Sequence, residues 1–209
     1  MAPPHTMQLA GRADWALMIA IHDALRRDLD QLLHATASHA SARARWGAFR
    51  SQLRFHLAAE HAAMWPRVQP KLAGHPHGQA LLDAMDDERQ LLGPLQAMID
   101  DAFTIDADPG RLRQLLARLR TRLASHLAHE ETDALPLISQ ILSPGELGGI
   151  AAAIRGGHSA RRARTTVSWA LAGASPDIRE HALSQLPAPA RLLYRTVWLP
   201  RHARTTPAL

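Results

Sequence analysis

His22, His56, Glu60, His126 and Glu130 are the residues whose types and spacing point to chemistry. In the pairs His56/Glu60 and His126/Glu130 the side chains stand four residues apart, which stacks them on one face of a helix. A buried carboxylate without a partner costs on the order of several kcal/mol or takes up a proton. A single core histidine needs no function, because ordinary hydrogen bonds usually satisfy it. Two His/Glu pairs together with His22, all aimed at one axis, make a nitrogen–oxygen cage instead. Imidazole and carboxylate donors suit iron, manganese or zinc, and glutamates on facing helices have the reach to bridge two ions. Arg89 is the other ionisable group on this seam. It stays charged and has no lone pair to ligate a metal, but its planar fork matches a carboxylate.

Four segments must position these groups. The apolar seam of the first runs Trp15, Met18, His22, Leu25, Leu29, Leu32, and that of the second Trp46, Phe49, Leu53, His56, Glu60, Met64. The third carries Leu82, Met85, Arg89, Leu92, Gln96, Ile99, Phe103, and the fourth Leu112, Leu116, Leu119, Leu123, His126, Glu130, Ala134. Steps of three and four of this kind bury one stripe per helix in an up-down bundle. The connections, near Ala40, at Lys71–Gly78 and at Asp106–Gly110, are short enough for antiparallel neighbours. The second and fourth segments are copies: HLAAEHAAMWP from His56 matches HLAHEETDALP from His126, seventy residues on. The chain therefore reads as two duplicated helical hairpins, and Arg89 occupies the place on the third helix that corresponds to His22. Pro66 and Pro136 each follow their Glu by six residues and are expected to kink or end those helices.

Composition agrees and excludes several classes. Ala, Leu and Arg dominate, aromatic residues are 4%, and an all-α chain follows. With no cysteine there are no disulfides, thiolate sites, iron–sulfur clusters or cysteine nucleophiles. No phosphate-cradling glycine loop, nucleophile elbow or HExxH occurs. The formal charge of +5 is spread along the chain with Lys71 as the only lysine, so no nucleic-acid partner is expected. No stretch reaches transmembrane length or reads as a signal peptide, so no membrane association is expected and the location is taken as cytoplasmic.

The domain reading is a flexible N-terminus over 1–11, a four-helix bundle over 12–142, and a helical C-terminal extension over 143–209. Ser143-Pro144-Gly145-Glu146 is a capping box that starts a helix running to Gly156. HSARRARTT from His158 reads as a solvated basic face. Ser175-Pro176-Asp177 starts a further helix ending near Leu186, and a short amphipathic helix carries Leu192, Leu193, Val197 and Trp198. The extension is expected to pack on the bundle.

With IHDALRRDL, HLAAEHAAMWP, LLDAMDDERQLLGPL and HLAHEETDALPLI as its helices, the stretch Trp15–Leu142 resembles the hemerythrin HHE cation-binding family. The resemblance implies a di-iron bundle in which His22 and His56 ligate one iron, His126 the other, and Glu60 and Glu130 bridge. In such sequences the third helix carries His just after a Glu, where this chain has Glu88-Arg89. Three outcomes stay open. Iron is retained, as one ion at His22, His56 and the glutamates or as a weak pair. Alternatively, Arg89 forms a forked ion pair with Glu60 or Glu130 and replaces the metal charge, or Glu88 rescues the second iron. Glu131 is a possible substitute ligand, although the repeat favours Glu130. His61 and His129 sit off the seam, and His75 and His77 lie in a turn. The resemblance implies a non-haem iron protein that binds or senses dioxygen, nitric oxide or peroxide rather than a catalyst. The alternatives are a metal-free interaction module and an iron-dependent enzyme that decomposes peroxide.

Overall fold

A computed structural model of the chain describes residues 15–34, 39–105, 108–156 and 159–200. The expected N-terminal tail over 1–11 lies outside the described residues. The bundle is built from α1 (Ala16–His34), α2 (His39–Ala63), α4 (Pro76–Thr104) and α5 (Pro109–His129), and no strand occurs among the described residues. Each helix packs against its neighbours in sequence, and α5 closes the ring on α1. The stripes that line this core are those the periodicity predicts: Leu25, Leu29, Phe49, Leu53, Leu92, Ile99, Leu119 and Leu123 are all buried. At one end Trp46 stacks between Phe49 and Phe103, and its indole N–H donates to Asp100 at 2.8 Å, tying α2 to α4.

The first connection departs from expectation. Ala40 lies inside α2, which begins at His39, because the alanine-rich stretch there favours helix over turn. In the second connection α3 (Trp65–Val68) and a 3-10 turn (Gln69–Leu72) lead to Gly74, whose φ of +83° suits glycine and starts the reversal into α4. His75 and His77 are exposed there. In the third, the Asp108 side chain caps α5 by accepting from the Arg111 N–H at 3.1 Å.

The two copies solve one geometric problem differently. In both, the seam after the histidine advances in steps of four: His56, Glu60, Met64, Val68, Leu72 and His126, Glu130, Ala134, Ile138, Leu142 are all buried. An α-helix turns every 3.6 residues, so a run of fours drifts out of the core unless the chain unwinds. In the first copy the helix ends at Ala63 and restarts around Pro66. In the second it continues through a π-helical turn, Glu130–Ala134, into α6 (Leu135–Ile141), with Pro136 in the first turn of α6.

The extension is helical and joins the same core. Ser143 and Glu146 form the reciprocal capping box of α7 (Pro144–Gly156), with Lys71 pairing to Glu146 at 2.8 Å. Ser159 caps α8 (Ala160–Ala172) and Ser175 caps α9 (Pro176–Ser184). A last helix, α10 (Ala188–Leu193), passes into a π turn at Tyr194–Trp198. The stretch that begins HSARRARTT is thus the start of a packed helix rather than only a basic face. Val167, Ala170, Leu171, Ala182, Leu183 and Tyr194 are buried in one cluster with Leu25, Leu29 and Phe49. Trp169 donates to Asp28 at 2.6 Å and Thr166 to Gln52 at 3.1 Å, so α8 spans α1 and α2, the helices that carry His22 and His56. No single helix among the described residues is long and apolar enough to cross a membrane.

Candidate metal centre

Four side chains from three helices meet in the dry middle of the bundle. His22 from α1, His56 and Glu60 from α2, and Glu130 at the α5 terminus each offer one ligand atom, and these atoms lie within 4.8 Å of one another. Donors held about 2.1 Å from one ion sit about 3–4 Å apart, so this spacing suits a shared first shell. His22 Nε2 is 3.1 Å from His56 Nε2 and 3.6 Å from Glu130 Oε2, while His56 Nε2 is 2.8 Å from Glu60 Oε1. The last pair is within contact distance yet lacks hydrogen-bonding direction: Glu60 Oε1 has no hydrogen-bond partner, and neither has either oxygen of Glu130. Two imidazole nitrogens face to face at this range need a proton or a cation between them. All four residues are at most 4% exposed.

The electrostatics follow from that burial. Desolvation pushes the Glu60 carboxyl up to about 8, against the opposing charges of His22 and Arg89. Glu130 also rises to about 8, through burial and then the proximity of Glu60. Burial holds the His56 imidazole down to about 4. Without a cation both carboxyls are therefore protonated and the His56 imidazole is neutral near neutral pH. The unpartnered carboxylate oxygens and the hard-to-borderline N2O2 donor set fit a divalent transition metal, which would ionise both glutamates in place.

Of the five ligands expected from the sequence, four offer atoms within 4.8 Å of one another, while His126, also buried, engages Glu88 through one ring nitrogen. Its Nδ1 bonds Glu88 Oε2 at 3.2 Å, and the other Glu88 oxygen takes His129 Nδ1 at 3.0 Å. Burial lowers the His126 imidazole against the upward pull of Glu88. Glu88 thus serves as the partner of two histidines on α5, a role its position one residue off the seam permits because it leans toward α5.

Arg89 does not form the forked pair with Glu60 or Glu130 that the sequence left open as one of three outcomes. Its guanidinium hydrogen-bonds Asp86 on its own helix and remains partly exposed. The physical reason is desolvation: a flexible arginine near the surface keeps some of its hydration by pairing with an exposed carboxylate three residues away. It acts on the cage only at range, by lowering Glu60. With its hydrogen bond given to Asp86, Arg89 makes no ion pair in the cage that would replace a metal's charge.

The sequence underrated Glu131. This residue is buried, accepts from His22 Nδ1 at 2.7 Å and pairs with Arg26 at 2.9 Å. Burial pushes its carboxyl up, but the hydrogen bond from His22 and the charge of Arg26 outweigh that and hold it below the ordinary value. Its counterpart in the first copy, His61, is exposed. The π turn makes the difference, since unwinding lets Glu130 and Glu131 face inward together. The run of four-residue steps, common to both copies, does not distinguish them in the sequence.

Fold and cage together define a helical bundle able to hold a metal ion between its helices. The family model described as the hemerythrin HHE cation binding domain matches residues 14–138, more than half of the chain. The protein belongs to that family. No curated protein and no solved structure matches it.

Proposed function

We propose that the protein holds one non-haem iron ion at His22, His56, Glu60 and Glu130 and binds or senses a small ligand there. The observation that carries this reading is the set of buried carboxylate oxygens without a partner, beside two imidazole nitrogens aimed at the same point. Four protein donors leave coordination positions open, and bound iron would supply a redox-active centre for dioxygen, nitric oxide or peroxide. The chain's own residues do the rest. The helices exclude water, and Glu60 and Glu130 balance the charge. The departure at position 89 supports one ion rather than the family's pair. A cytoplasmic location, expected from the sequence, belongs to the same proposal.

The test is iron per chain, by elemental analysis of protein reconstituted anaerobically and desalted. One ion per chain is expected, matching the one four-residue cluster among the described residues, with loss of it in His22→Ala. Iron near zero in the wild-type protein would overturn the reading. Arg89→His places an imidazole beside His126 and the shared glutamates, so its iron content is expected to rise above that of the wild type. Gas evolution from peroxide by the loaded protein would move the reading from sensor to enzyme.

A further inference from the structure

We propose that Glu131, held by Arg26, is the positioning residue that fixes His22 in the tautomer whose Nε2 lone pair faces the metal cage. Arg26 and His22 Nδ1 both meet the same Glu131 oxygen, at 2.9 and 2.7 Å, so that oxygen accepts from both, the His22 proton sits on Nδ1, and Nε2 faces His56 and Glu130. His22 is fully buried, so water does not compete for either nitrogen. Arg26, one turn further along α1, donates to the same Glu131 oxygen at 2.9 Å and to Asp23 at 3.2 Å. That second bond fixes the carboxylate in the orientation His22 requires and compensates its charge. Glu131 is not among the atoms that converge on the cage, which makes it a support for a ligand rather than a ligand. A carboxylate behind an imidazole also raises the basicity of the opposite nitrogen. The π turn that brings Glu131 inward is absent from the first copy, whose equivalent His61 points to solvent.

The metal part of this inference rests on the proposed iron site, whereas the tautomer part does not, and the experiment separates them. Full-length protein labelled with nitrogen-15 in histidine is stripped with chelator and read by long-range proton–nitrogen correlation, with His22→Ala assigning the ring. Wild type and Glu131→Gln are expected to show His22 protonated at Nδ1, since the amide oxygen accepts the same bond. Glu131→Ala is expected to show Nε2–H or a mixture of tautomers. Glu131→Asn, one methylene too short to reach Nδ1, makes the same point if the alanine variant does not fold. The same proteins are then titrated with cobalt(II) alone. Glu131→Ala is expected to weaken binding about 10–100-fold, Glu131→Gln much less, and Glu131→Ala is expected to add nothing in a His22→Ala background. Unchanged Nδ1 protonation in both Glu131→Ala and Glu131→Asn would overturn the inference, and so would equal weakening of cobalt binding with and without His22. If wild type binds no cobalt, the metal proposal fails and the tautomer result alone decides the role of Glu131.

Discussion

Glu60 and Glu130 share one dry core, and that shared burial sets how the metal-free protein responds to pH. Their folded values of about 8 lie above the ordinary 4.5, so the folded state keeps protons that the unfolded chain gives up. The stability they contribute is full below pH 4.5 and is lost as pH rises through 8. His56 acts in the opposite sense: held at about 4 against 6.5, its contribution is present above 6.5 and lost as pH falls through 4. Two carboxyls outweigh one imidazole, so the chelated protein is expected to melt highest near about pH 4.5, with Tm falling as pH rises toward about 8. Excess divalent metal is expected to reverse the alkaline fall, because the cation stabilises the ionised carboxylates and binds only the folded state. Scanning calorimetry across that range, with and without metal, checks both expectations, and a flat profile between about pH 4.5 and 8 in chelator would contradict them.

At the scale of the element, the C-terminal helices are structural partners of the bundle. Leu171 on α8 is fully buried in the cluster that contains Leu25, Leu29 and Phe49. Leu171→Ala removes contacts in a core with little room to collapse, and is expected to cost about 2–5 kcal/mol in urea unfolding. A cost near zero would mean that α8 rests on the surface of the bundle and is not packed into it. The π turn makes a parallel case for α5. A helix that stayed regular through Glu130 would rotate Ala134, Ile138 and Leu142 out of the core, and the unwinding keeps all three buried.

Across the whole molecule, α1 is the helix most enclosed, with α2 and α5 on the bundle side and α8 and α9 outside. The bundle over 12–142 is therefore incomplete without the C-terminal helices. Removing residues 143–209 uncovers α1 and leaves the Gln52 and Asp28 side chains without the partners that α8 supplies. Tm is expected to fall by more than about 10 °C, since several large buried side chains are lost at a few degrees per kcal/mol. A truncated chain that melts with the full one would show that the extension adds no stability.

The sequence by itself determined the four helices, their stripes and the duplication, because hydrophobic periodicity is a local property that survives without knowledge of the partners. It also marked His22, His56, Glu60 and Glu130, whose positions on those stripes leave no way to face solvent. Three matters were decided only by the tertiary structure. Arg89 went to Asp86 because a side chain that long chooses its partner by the cost of losing water, which spacing does not encode. His126 turned its Nδ1 to Glu88 because α4 and α5 approach closely enough to offer that carboxylate. Glu131 came to support His22 because a π turn, forced by the fit of α5 and α6 against the other helices, rotates a residue inward that an ideal helix leaves at the edge. Periodicity fixes which face of a helix is buried; the contact between faces fixes which atoms meet there.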